Sequence, residues 1–187
     1  IDIMGEPIGK QDQYAAAYGN INYFRFNRDE TVDVMPILLP ESARKRLENS
    51  LCLYYIGGER KSADILQEQR HNIFFDAKFQ NLKNMATLAD EIRDALHHEK
   101  IDVVGDILHK GWLFKKEMAK GISNDNIDGL YDSAIKGGAK GGKLLGAGGA
   151  GFLLLYSEDH NTLKKHLQCR VLPFCIDREG TKIIFYE

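Results

Sequence analysis

The chain has 187 residues, of which 43% are hydrophobic and 28% charged, and its net charge is −2. These values are ordinary for a globular protein, and the small net charge gives no electrostatic reason to expect binding to nucleic acid or to an acidic membrane. A membrane span needs about 20 consecutive apolar residues, and no apolar run in the sequence approaches that length. The three cysteines, Cys52, Cys169 and Cys175, lack the spacing of a metal or redox motif, so we expect a reducing, cytoplasmic location.

The first predicted element is a helix between Gly9 and Gly19, because its run of Tyr and Ala favours a helix and Gly19 is a natural stop. This places Lys10, Asp12 and Gln13 in its first turn. A carboxylate there is stabilised by the helix dipole and stays ionised. Asp12 therefore suits a catalytic base or a metal ligand, with a plain helix cap as the alternative.

The elements expected next are two strands, a short helix and a further strand, at Asn22–Phe26, Thr31–Met35, Ser42–Asn49 and Leu51–Ile56. Pro36 and Pro40 flank a short apolar run between the second strand and the helix. We place a domain boundary close to this point, which separates residues 1–48 from residues 49–187.

Four helices should follow, at about Ser62–Phe75, Leu82–Leu96, Val104–Met118 and Ile127–Ile135. Their apolar residues recur at steps of three and four, which indicates core faces. The last expected elements are a strand, a helix and a final hairpin, at Phe152–Tyr156, Asp159–Leu167, Arg170–Ile176 and Thr181–Tyr186. This order predicts an α+β fold in which helices cover one face of an antiparallel sheet. The six histidines show no metal-ligand spacing.

A glycine-rich stretch at 137–151 carries eight glycines in fifteen residues. Such clustering indicates unusual backbone angles or close approach, as where main-chain N–H groups surround an anion; a glycine-rich hairpin is the alternative. The P-loop spacing fails because Leu144 stands where Ser or Thr should bind Mg²⁺. Gly146, Gly148 and Gly151 fit a dinucleotide fingerprint, but a predicted helix precedes them and a strand follows, which inverts the required context. We favour a different phosphate-handling loop.

Two segments carry a family resemblance: Gly9-Lys-Gln-Asp-Gln13, and Lys143-Leu-Leu-Gly-Ala-Gly-Gly-Ala-Gly-Phe152. Together they resemble motifs of the GHMP small-molecule kinases, and nearly the whole chain is most similar to the family's heptose 7-phosphate kinases. The resemblance implies transfer of the ATP γ-phosphoryl group, with Mg²⁺, to a hydroxyl of a sugar or sugar phosphate. It also implies a ferredoxin-like C-terminal domain that follows the tail of an N-terminal ribosomal-protein-S5-like domain.

The resemblance also implies roles for individual residues. Asp12 would orient the sugar hydroxyl and accept its proton, and Lys10 would favour the ionised carboxylate or contact phosphate. Gln13 and Arg60 would contact the substrate, with Arg60 clamping the sugar phosphate; for Lys10 and Arg60 a surface role is the alternative. Lys143 would bind phosphate or ATP, and the floor under the transferred phosphoryl group would be formed by Gly146, Ala147, Gly148 and Gly149. A bulky side chain at position 148 should then impair activity more than stability.

The departures from the family are informative. The phosphate loop Pro-x-x-x-Gly-Leu-Gly-Ser-Ser is absent, Ala150 replaces a common glycine, and Ile56 replaces a common threonine. We therefore expect no Mg²⁺ ligands in this chain, no ATP turnover by it alone, and an N-terminal portion of the kinase as its partner. A sugar phosphate is the expected substrate, and a homodimer is left open. The alternative function is a non-catalytic sugar-phosphate-binding or interaction module.

Overall fold

The computed structural model describes residues 9–58 and 62–185. In that part of the chain the α-helices are α1 Gln11–Tyr18, α2 Glu41–Ser50, α3 Ser62–Asn72, α4 Asp76–His97, α5 Val104–Lys116, α6 Asp125–Lys136 and α7 His160–Leu167. The strands are β1 Asn22–Phe26, β2 Val32–Pro36, β3 Leu51–Gly57, β4 Gly141–Leu144, β5 Gly151–Tyr156 and β6 Arg170–Pro173. None of the helices described is both long and apolar enough to cross a membrane.

The main sheet has four strands in the order β4-β5-β3-β6, and every neighbouring pair is antiparallel. Helices α3 to α6 connect β3 to β4, and α7 connects β5 to β6. This order of strands and crossovers is that of a ferredoxin-like fold, so the predicted α+β class is confirmed. Within residues 9–58 and 62–185, strands β1 and β2 pair only with each other, as a separate two-stranded sheet.

One face of the main sheet packs against α5, α6 and α7. Its buried side chains include Tyr54 and Leu155 from the sheet, with Trp112, Tyr131 and Leu163 from the helices. Burying a large apolar side chain stabilises the fold by about 1.5–3 kcal/mol, so this cluster is the main core. The apolar stripes predicted from residue spacing point into it.

The other face of the sheet is covered at one end. Tyr156 of β5 is buried there among Leu47 of α2, Leu96 of α4 and Ile176. The expectation of helices on one face only is therefore wrong, because apolar residues alternate to both sides of β5 and both sides require cover. Helix α2 spans the predicted domain boundary at 48/49, which stays a prediction.

The predicted final hairpin is not formed within the described residues. Strand β6 ends at Pro173 and not at Ile176, and residues 181–185 are not a strand. Ile183, Ile184 and Phe185 are 83%, 87% and 74% exposed. Their composition favours a strand, but β structure requires a neighbouring strand to pair with, and the described chain places none beside them.

The C-terminal segment crosses the end of α1 at two glycines. Gly19 and Gly180 have φ of +59° and +66°, and a Cβ atom on Gly19 would lie 2.2 Å from the Gly180 nitrogen. Beyond the crossing, the Thr181 N–H donates to the Ala16 carbonyl oxygen at 3.0 Å. The segment thereby holds the C-terminal end of α1 against the rest of the molecule.

A half-buried histidine links α7 to β3. His160 Nε2 lies 2.9 Å from the Ser50 carbonyl oxygen, and its Nδ1 lies 3.1 Å from the Tyr54 hydroxyl. A carbonyl oxygen only accepts, so Nε2 carries a proton. Burial lowers the pKa of His160 and so favours the neutral ring, in which Nδ1 accepts from the Tyr54 hydroxyl.

Stability should therefore fall on acidification. The unfolded state binds the His160 proton near pH 6.5 and the folded state only at lower pH, so the free energy of unfolding decreases between these two values, by at most about 1.4 kcal/mol per pH unit. Urea unfolding between pH 5 and 7.5 should show a shallower dependence for His160→Gln than for the unmodified chain. Parallel curves for the two proteins would contradict this assignment.

Candidate functional site

The glycine-rich stretch forms a hairpin. Strands β4 and β5 pair from Gly141↔Tyr156 to Leu144↔Leu153, and the Leu145 N–H donates to the Phe152 carbonyl oxygen at 2.9 Å to begin the connecting loop. The hairpin alternative is therefore correct for the backbone. A strand and not a helix follows the loop, which agrees with the rejection of the dinucleotide and P-loop motifs. The role of the loop toward phosphate stays a prediction.

The tip of this loop rests on the turn that precedes α6. Gly148 has φ of +120°, and a Cβ atom there would lie 2.5 Å from Ile122 Cα. The Gly149 N–H donates to the Ile122 carbonyl oxygen at 3.0 Å. Ala147 and Gly148 are buried, whereas Gly146 is exposed. The amide of Gly149 is thus used inside the protein, and Gly146 is the most exposed of the predicted floor residues.

The predicted helix α1 presents its first turn to solvent. Lys10 is the N-cap residue and makes no side-chain cap hydrogen bond, and Asp12 is exposed in the first turn. With its amide oriented to satisfy hydrogen bonding, the Gln13 side chain donates to the carbonyl oxygens of Gly9 and Lys10 at 3.0 and 3.1 Å. Gln13 therefore caps the helix locally, and Asp12 is the acidic group that the turn offers to a ligand.

Asp12 and Lys143 come together from opposite ends of the chain. Lys143 lies on β4 opposite Leu154. Its side chain keeps contact with solvent, yet the protein atoms around it lower the pKa of Lys143 through desolvation, and the charge of Asp12 opposes that shift. Lys143 is thus surrounded by protein atoms and still in contact with solvent. We call the partly enclosed surface between Lys143 and Asp12 the crevice. The two charges act on each other across this crevice without a hydrogen bond between them.

A second lysine joins this crevice. Lys115, in the last turn of α5, donates from Nζ to Gln69 Oε1 of α3 at 2.8 Å. Burial lowers the pKa of Lys115, and the positive charge of Lys143 lowers it further. Lys115 has no signature in the sequence, because a lysine in a last helical turn is typical of simple dipole stabilisation. No spacing in the sequence indicates that α3 and α5 meet there.

An apolar cavity of about 490 Å³ lies beside the crevice. Helix α1 contributes Ala15 and Ala16 to its wall, and the sheet contributes Leu154. Small side chains on α1 leave this space open between the helix and the sheet. A second cavity of about 430 Å³ lies at the other end of α1, where Lys10 faces the β1–β2 turn at Asn27 and Thr31.

The structure thus brings some predicted site residues together and leaves others apart. Asp12 and Lys143 share the crevice, whereas Lys10 lines the second cavity. Arg60 lies outside the described residues. Over residues 9–58 and 62–185, no three His, Cys, Asp or Glu side chains lie close enough to hold a metal ion. The catalytic and binding roles stay predictions.

Comparison with known proteins connects this geometry to a family. Residues 92–171 match the family model described as GHMP kinases C terminal. The chain is 29% identical over 184 residues to D-glycero-alpha-D-manno-heptose 7-phosphate kinase of Campylobacter jejuni, covering 96% of this chain and 54% of that protein. It is also 29% identical to the bifunctional fucokinase/GDP-fucose pyrophosphorylase of Arabidopsis thaliana, covering 87% of this chain and 16% of that protein.

Solved structures agree. A D-glycero-D-manno-heptose 1-phosphate kinase from Bacteroides thetaiotaomicron superposes with a TM-score of 0.62 at 27% identity, over 95% of this chain and 50% of that one. The mevalonate kinase of L. major shares the fold, with a TM-score of 0.71 at 16% identity over 91% of this chain and 53% of that one. The chain thus spans about half the length of these heptose kinases. The resemblance to GHMP kinases is confirmed.

Proposed function

We propose that this chain, which carries a GHMP kinase C-terminal domain, is the C-terminal portion of an ATP-dependent sugar kinase. Its acceptor is a heptose phosphate, on the way to a nucleotide-activated heptose. The names of the C. jejuni and B. thetaiotaomicron relatives support a heptose phosphate, although one names the 7-phosphate and the other the 1-phosphate. The fucokinase relative supports a sugar hydroxyl as the acceptor in the wider group.

The observation that carries this proposal is that Asp12 lies near enough to Lys143 for its charge to act on that lysine, which precedes the loop at 145–150. Phosphoryl transfer depends on positioning and on stabilisation of charge. An ionised Asp12 can orient the sugar hydroxyl and accept its proton. Lys143 can stabilise negative charge on phosphoryl oxygens. The space between the two charged groups is where the hydroxyl and the phosphoryl group would meet.

The donor side of the reaction needs groups beyond these. ATP requires phosphate-binding donors, and Mg²⁺ bound to it would neutralise charge on the phosphates. The described part of this chain offers no acidic cluster of metal-binding size. We propose that an N-terminal portion of the kinase supplies these groups and that the 187 residues alone turn over no ATP.

We also propose a cytoplasmic location. The three cysteines are free and make no disulfide with one another, and free thiols of this kind are typical of reducing compartments.

The test is an acceptor screen with the complete enzyme. ADP release would be followed with D-glycero-D-manno-heptose 7-phosphate, its 1-phosphate isomer, L-fucose and galactose, and the product would be identified by ³¹P NMR. We expect ADP release with a heptose phosphate and a new phosphorus signal on the sugar. Failure of every sugar to stimulate ADP release would overturn the proposal, and the absence of any ADP release would favour the non-catalytic binding module.

A further inference from the structure

Lys115 and Lys143 are surrounded by protein atoms, yet neither has a carboxylate of residues 9–58 and 62–185 bound to it. Lys116, the next residue along α5, pairs with Asp128 at 2.9 Å, and Lys78 pairs with Glu117 at 3.7 Å. No ion pair within the described residues involves Lys115 or Lys143, although both are crowded by protein. Two like charges held close together in such a place are unfavourable unless an anion joins them.

A third donor lies beside Lys115. The Gln69 Oε1 accepts a hydrogen bond from Lys115 Nζ at 2.8 Å. This bond sets the orientation of the Gln69 amide, so its Nε2 points away from Lys115. Among the residues that the structure describes, nothing accepts a hydrogen bond from that Nε2, although it is buried. A buried N–H without a partner is unfavourable. A ligand oxygen bound beside it would satisfy this donor.

The position of these donors is fixed by rigid elements. Gln69 lies on α3, Lys115 on α5 and Lys143 on β4. Helix α5 packs closely on β4, where a Cβ on Gly141 would lie 2.0 Å from the Gly105 carbonyl oxygen. The backbones that carry Lys115 and Lys143 therefore keep their relative position without a ligand, and the hydrogen bond from Lys115 holds Gln69 beside them. A preorganised site of this kind loses little entropy when it binds.

We infer that Lys115, Lys143 and the Gln69 amide form a phosphate-binding subsite next to Asp12. Its ligand is a phosphate dianion, which presents oxygen acceptors to several donors and neutralises both ammonium groups. This inference rests on the proposed function for its place in the reaction. The phosphate belongs either to the acceptor sugar or to the nucleotide, and the two sources are separated by kinetics.

Binding is tested first and without catalysis. Calorimetric titration of the 187-residue chain with inorganic phosphate should show binding. Lys115→Met and Lys143→Met should each raise the dissociation constant about tenfold or more, which is the effect of losing one charge-assisted hydrogen bond. Lys115→Arg should retain most of it. Lys110→Met is the matched control, since Lys110 is exposed on the same helix and makes no ion pair within the described residues, and it should bind as the unmodified chain does. Equal affinity in all variants overturns the subsite.

Kinetics of the complete enzyme identify the source of the phosphate. If the sugar supplies it, Lys115→Met should raise KM for the sugar phosphate about tenfold or more and leave KM for ATP unchanged; the reverse pattern assigns the nucleotide. A change below threefold in both overturns the subsite while leaving the kinase proposal standing. Phosphate binding that depends on Lys115, in a protein without sugar kinase activity, supports the subsite and overturns the proposed function.

Discussion

Replacement of Asp12 with asparagine in the complete enzyme is expected to lower kcat by about 10²–10⁴-fold, the usual effect of removing a general base. Asparagine has the same shape but cannot accept the proton of the sugar hydroxyl. Asp12 is exposed and belongs to a helix without buried residues, so the fold should not depend on it. Steady-state kinetics and the melting temperature measure the two effects separately.

The matched control is Asp76→Asn. Asp76 is also an exposed acid in the first turn of a helix, α4, away from the crevice. Both substitutions remove a favourable helix-dipole interaction worth about 0.3–1 kcal/mol. Only Asp12→Asn should affect turnover. A loss of turnover below tenfold for Asp12→Asn, with equal changes in melting temperature for the two variants, would leave Asp12 as a helix cap.

Gly148→Ala is expected to destabilise the chain by about 3 kcal/mol. The backbone at Gly148 has φ of +120°, and the added Cβ would lie 2.5 Å from Ile122 Cα. Such angles cost a non-glycine residue about 1–3 kcal/mol. Relief of the clash would also break the hydrogen bond from the Gly149 N–H to the Ile122 carbonyl oxygen. The melting temperature should fall by about 6–12 °C.

Gly138→Ala separates the two causes. Gly138 has φ of +98°, but an added Cβ would meet no atom within 4 Å. This variant should lose only about 1–2 kcal/mol, from the backbone angle alone. Equal melting temperatures for the two variants would show that the contact with Ile122 is not tight.

The sequence predicted that a bulky residue at Gly148 would impair activity more than stability. The packing of the loop against Ile122 indicates the opposite order.

Local patterns were sufficient for much of the fold. The apolar stripes at Leu82–Leu96 and Ile127–Ile135 predict α4 and α6. In the structure α6 begins after Asn124, whose Oδ1 accepts from the Ile127 N–H at 3.0 Å. Strand β4 was different. Its glycine-rich sequence has low strand propensity, and it is held as a strand by pairing with β5 and by the close approach of α5. Such a strand is specified by its neighbours and not by its own residues.

The candidate site divides in the same way. Asp12 and the glycine loop could be named from their motifs, which lie in continuous sequence. Lys115 and Gln69 could not, because their significance depends on where α3 and α5 place them relative to Lys143. A buried donor without a partner, such as Gln69 Nε2, is a property of packing and has no signature in sequence.

The crossing of Gly19 and Gly180 also sets an order of events in folding. The hydrogen bond from Thr181 Oγ1 to the Ala16 carbonyl oxygen joins residues 165 positions apart. Closing so long a loop costs conformational entropy, so this contact stabilises the chain only once the ends of the loop have been brought together. The β4–β5 hairpin and the α4–α5 pair close short loops and can form earlier in folding. Helix α1 should therefore dock last, and the carboxylate of Asp12 comes near Lys143 only after the sheet that carries this lysine has formed.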